Sequence, residues 1–135
     1  MPTIKRFEDL EIWQEARRLS QEVIRLSKRT DLKNDFRLRD QIKASSGSVM
    51  DNIAEGFERD GNREFIQFLS TAKSSAGEAR SQLYRVFDNE YINEEKMLKL
   101  VSEYETLSRR IANFMNYLNK KDFKGNKFKD DRPET

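Results

Sequence analysis

Five cations on one predicted helix, Arg17, Arg18, Arg25, Lys28 and Arg29, are spaced to do chemistry with a polyanion. Arg18, Arg25 and Arg29 fall within about 40° of helical arc at 3.6 residues per turn, with Arg17 and Lys28 along one edge. Such a stripe could track phosphates. Glu11, Glu15 and Glu22 lie in or beside the same arc, and Glu22 sits four residues from Arg18 and three from Arg25. Ordinary solvated ion pairs are therefore the other reading of the stripe.

Asn52 and Glu55 are the next candidates for polar chemistry. Asn52 borders a buried stripe and reads as a satisfied core-edge amide or a ligand contact; Glu55 faces outward, where an intersubunit salt bridge is the structural alternative. Catalysis would have to proceed with no cysteine and no histidine, since the 135 residues contain neither. That removes thiolate nucleophiles, disulfides, the commonest general base and the commonest transition-metal ligand. The Glu-x-x-His pairs of a di-iron bundle are excluded with them. We expect no catalytic residue, no metal and no cofactor.

A third set, Ile66, Lys73, Gly77, Arg80 and Tyr84, projects about 120° from the centre of its helix's apolar stripe, by the 100° step per residue. Isolated apolar surface residues are normal. Here, however, Ile66 and Tyr84 flank small residues that would let a neighbouring chain approach, which points to a subunit contact. Gly77 costs about 1 kcal/mol relative to alanine inside a helix, and a close contact could offset that.

Long amphipathic helices must position these residues. Charged residues make up 37% of the chain and hydrophobic ones 36%, so the apolar side chains have to be concentrated into narrow stripes. Both prolines, Pro2 and Pro133, lie near the ends. The spacing predicts helices over 9–30, 35–55, 61–89 and 93–119, preceded by a segment 1–8 and followed by a flexible charged tail, 120–135. Trp13, Ala16, Ser20, Val23 and Ser27, flanked by Leu19, Ile24 and Leu26, mark the first face, and Leu38, Ile42, Val49 and Ile53 the second. Phe65, Phe68, Leu69, Ala72, Ala76, Ala79, Leu83, Val86 and Phe87 mark the third. Met97, Val101, Tyr104, Ser108, Ile111, Met115 and Leu118 form a heptad-like seam in the fourth. Gly56 reads as a left-handed C-terminal cap of the second helix. The fold expected is all-α, an up-down-up-down antiparallel four-helix bundle forming a single domain over 9–119. The net charge of +2, from 26 basic and 24 acidic residues, supplies no global field for nucleic acid. No apolar run approaches the ~20 residues of a membrane span, and the start lacks the apolar centre of a signal peptide, so the expected location is cytoplasmic.

Three segments resemble a known family: FEDLEIWQEA from Phe7, QIKASSGSVMDNIAEGF from Gln41, and REFIQFLSTAKSSAGEARSQL from Arg63. Trp13, Asn52, Glu55, Gly56, Phe65, Phe68 and Leu69 carry the likeness. The chain resembles the bacterial four-helix-bundle proteins encoded in intervening sequences of 23S rRNA genes, a group that includes the accessory variability proteins of diversity-generating retroelements. It departs from the pattern at Met50, where many members have proline, which implies a straighter second helix, and at Ala44, where members often carry the second of two arginines. The resemblance implies a ribosomal-protein-like homopentamer, a non-enzymatic scaffold binding RNA or a nucleic-acid-handling protein. The alternative is a protein-protein adaptor with no nucleic-acid role.

Overall fold

A computed structural model describes residues 4–123, and the side chains of residues 122 and 123 lie outside that description. Four long helices account for nearly all of it: α1 (Glu11–Arg29), α2 (Phe36–Phe57), α3 (Asn62–Asp88) and α4 (Glu94–Phe123). Short 3-10 turns at Phe7–Asp9 and Asp31–Asn34 precede α1 and α2. Among the described residues there is no strand, and no helix is long and apolar enough to cross a membrane.

Local chemistry fixes most helix ends. The Thr30 hydroxyl donates to Leu26 O at 2.7 Å and accepts from Leu32 N, so it closes α1 and opens the following turn. Asp35 and Asn93 cap α2 and α4 by accepting from Leu38 N and Lys96 N, satisfying amides that have no partner within the helix. Among the described residues, the left-handed ones are Gly61, with φ 103°, and Glu90, with φ 64°. At Glu90 the amides of Glu90 and Tyr91 donate to Phe87 O and Val86 O, the two bonds of a Schellman cap.

Gly56 is therefore not the cap expected from the sequence. It lies inside α2, which continues through Phe57. The chain needs glycine there for another reason: a Cβ would meet Phe68 Cβ at 2.7 Å and Phe65 Cδ1 at 2.8 Å. The fourth helix also outruns its expected end at 119, reaching Phe123. Lys120 to Phe123 are thus helical rather than part of a flexible tail, whereas residues 124–135 of that tail lie outside the described residues.

The core is a single cluster running through all four helices, and it contains the whole expected α2 stripe of Leu38, Ile42, Val49 and Ile53. Met97, Val101, Tyr104, Ile111 and Leu118 of the heptad seam are buried, so that seam is core. Leu10, Ile12 and Leu32 are buried as well, and Ile24 is exposed at the margin of α1. Side-chain hydrogen bonds join neighbouring helices. Asn62 at the start of α3 donates to Leu118 O near the end of α4, Ser45 of α2 donates to Gln82 of α3, and Arg110 of α4 reaches Glu11 of α1.

Candidate functional site

The α1 cations were the first candidates, and packing divides them. Arg18 is drawn into the α1–α4 seam, where Nε donates to Glu15 Oε1 at 2.7 Å and Nη2 to Glu103 Oε2 at 2.8 Å. The bond to Glu15 raises the Arg18 pKa above its already high ordinary value, against the effect of burial. The same bond holds the Glu15 carboxyl below the usual carboxylate range. Arg25 pairs with Glu22, which also accepts from Lys96 Nζ at 3.2 Å. Burial alone would raise Glu22, but the bond from Lys96 and the charges of Lys96, Arg25 and Lys99 carry it net downward. Arg17 lies over the Trp13 ring, 5.8 Å from its centroid. Lys28 and Arg29 are exposed and form no ion pair among the described residues.

A shallow cleft of about 340 Å³ lies at the α1–α4 seam, lined by Glu11, Gln14, Glu15, Arg18 and Arg110. Its charges answer one another: Arg110 donates to Glu11 at 2.8 Å, and Arg18 to Glu15 and Glu103. Partly exposed pairs of this kind are worth about 0.2–1 kcal/mol each and align two helices more than they recruit a ligand. No group of three or more acidic residues able to hold a metal occurs among the described residues.

Apart from Trp13, the family-motif residues lie on the α2–α3 hairpin. Phe65 meets Phe57 edge to face at 6.1 Å and Phe114 of α4 at 5.4 Å, and Leu69 is fully buried one turn on. Phe68 packs beside Gly56 on one side and lies under Arg59 at 4.9 Å on the other. Asn52 donates to Ser48 O and Ser48 Oγ, and Ser48 in turn exchanges a 2.9 Å hydrogen bond with Ser75 of α3. Glu55 accepts from Arg59 one turn later at 3.0 Å. These contacts are internal. Trp13 is half-buried and packs edge to face on Phe7 at 5.2 Å, anchoring the segment before α1.

The outer set on α3 is more mixed than its helical angle suggests. Ile66 is partly buried against the core, and Arg80 leans across to Glu105 of α4 at 3.2 Å. Lys73 is exposed, Tyr84 is 44% exposed, and no atom comes within 4 Å of a Cβ built at Gly77. Sequence reasoning missed Phe36, the first residue of α2 and, among the described residues, the most exposed large apolar side chain, at 64%. An aromatic at a helix start, outside any apolar period, was its only signal.

Comparison with curated proteins gave no match. Among solved structures, the chain is similar to the crystal structure, at 1.70 Å resolution, of a protein with unknown function from the S23 ribosomal protein family of Bacteroides thetaiotaomicron VPI-5482. The TM-score is 0.70 and the identity 20%, with 77% of this chain and 97% of that one covered, a likeness of fold. The family described as 23S rRNA-intervening sequence protein matches residues 8–113, a span that takes in the Trp13 anchor, the Gly56–Phe68 contact and most of α4. With that match across most of its length, the chain belongs to the 23S rRNA-intervening sequence protein family.

Proposed function

We propose that this protein works by binding, as a helical scaffold whose subunits assemble into a homopentamer, and that the assembly engages RNA or a protein that handles nucleic acid. The ring of five and the RNA partner are what the family resemblance implies. The observation that carries self-association is the pairing on α3 of exposed Tyr84 with the open flank of Gly77, two helical turns apart. An aromatic ring at the rim of a bare backbone suits the close approach of another helix, with Lys73 and Arg80 supplying polar contacts at its edge.

Light scattering over a concentration series tests this reading. The expected mass is five times the 16.0 kDa chain. Gly77→Gln has room in the isolated subunit, so it should keep the helical signal while lowering the mass. A single-chain mass at every concentration would sink the scaffold as an oligomer.

The neutralisation of Arg18 and Arg25 within the chain favours a second reading, an adaptor that binds protein alone. Co-purification with and without nuclease separates the two. A partner retained after nuclease treatment, with no RNA recovered beforehand, supports the adaptor.

A further inference from the structure

The cationic stripe does not end with α1. Beyond the compensated Arg18 and Arg25, the exposed Lys28 and Arg29 are followed around the turn by Lys33 and Arg37, also exposed and also without an ion pair among the described residues. Residues 25–40 hold six of the chain's 26 basic residues but three of its 24 acidic ones. The remainder therefore carries 20 basic and 21 acidic residues, so the chain's whole positive excess sits at the α1–α2 corner.

Phe36 stands in the middle of that corner. The Arg39 guanidinium lies 4.8 Å from its ring centroid. Arg39 is itself fixed by donating to Lys33 O and to Asp40 Oδ1, each at 3.0 Å. Leu32 and Leu38 on either side are buried, so Phe36 is the exposed apolar side chain of this stretch. Of the corner's acids, Asp40 is engaged by Arg39, and Asp35 accepts from Leu38 N and from the Tyr91 hydroxyl. Asp31 remains exposed, as do Glu90, Glu94 and Glu95 around Tyr91, whose hydroxyl ties that turn to Asp35.

We propose that this corner is a single-stranded RNA site in which Phe36 stacks on a base while Lys28, Arg29, Lys33 and Arg37 contact the phosphates. A ring presented beside unpaired cations is the combination that binds single strands, where each base offers a free face and each phosphate a charge. Duplex bases are already stacked on one another and have no face to give. The assignment rests on the nucleic-acid part of the proposed function and names the surface that would carry it.

Fluorescence anisotropy of the full chain with a short labelled single-stranded RNA, read from low to physiological salt, tests it. Binding should weaken as salt rises. Phe36→Ala should cost about tenfold in affinity, by the loss of one stacked base, and leave the salt slope unchanged. Phe36→Trp should restore the affinity. Lys33→Glu combined with Arg37→Glu should weaken binding and flatten the slope, whereas Arg110→Ala should change neither. Each variant is compared at equal helical content and equal mass. Binding by the unmodified chain that survives both the Phe36→Ala and the charge-reversal changes would overturn the corner as the site while leaving the nucleic-acid reading intact. Absence of binding at low salt would remove both. Polyglutamate bound as tightly as RNA would overturn base stacking and assign the corner to an acidic protein.

Discussion

Gly56 of α2 and Phe68 of α3 meet with no room for a methyl group between them: a Cβ at position 56 would stand 2.7 Å from Phe68 Cβ. It would also stand 3.3 Å from Phe65 O, which belongs to the α3 backbone and cannot rotate aside. Gly56→Ala should therefore destabilise the bundle by about 1–3 kcal/mol, the range for overpacking. Gly47→Ala, at a helical glycine with nothing within 4 Å, should be stabilising by about 0.5–1 kcal/mol through helix propensity. Thermal melts of the two variants followed by circular dichroism make the comparison; equal effects would refute the close approach.

Glu90 holds the left-handed conformation that most helix caps give to glycine. A side chain there strains the backbone by about 1–2 kcal/mol. Glu90→Gly should recover roughly 1 kcal/mol of stability without moving either Schellman hydrogen bond. Denaturant unfolding at fixed pH measures the gain, and a loss of stability would mean that the Glu90 side chain contributes more than its strain costs.

Tyr104 is fully buried, its hydroxyl lies near Ser46 without a hydrogen bond of normal geometry, and burial drives its pKa well above the ordinary 10.0. In the unfolded chain the phenol ionises near 10, whereas in the folded chain it stays protonated, so its contribution is full below that pH. It is lost as pH rises from 10 toward the folded value, at about 1.4 kcal/mol per pH unit. Tyr104→Phe removes an unpartnered buried hydroxyl and should stabilise the protein by about 1 kcal/mol at neutral pH. It should also flatten the alkaline limb of the stability profile, and stability curves on both sides of pH 10 would show whether it does.

Arg18 and Glu103 join helices 85 residues apart in sequence. Both side chains are partly exposed, so a double-mutant cycle with Arg18→Ala and Glu103→Ala should return a coupling of about 0.5–1 kcal/mol that shrinks with added salt. The acid side has a definite sign as well. The Glu15 and Glu22 pKa values are depressed in the folded protein, so their stabilisation is full above the ordinary carboxylate range and disappears as pH falls through it. Unfolding midpoints between neutral pH and pH 3 record that loss. A cycle energy of zero at low salt would show that the pair merely accompanies the packing.

The amino-acid order alone determined the four helices, because an apolar residue every three or four positions can be buried only by winding the chain. The α2 stripe from Leu38 to Ile53 and the buried positions of the α4 seam were legible for that reason. Tertiary structure alone decided what Gly56 is for, since its constraint comes from an aromatic pair on the next helix and local geometry suggests a cap instead. It likewise decided that Arg18 is occupied while Lys28 and Arg29 are not. Glu103 lies far along the chain, and only packing brings an acid to one end of the stripe and leaves the other end in water.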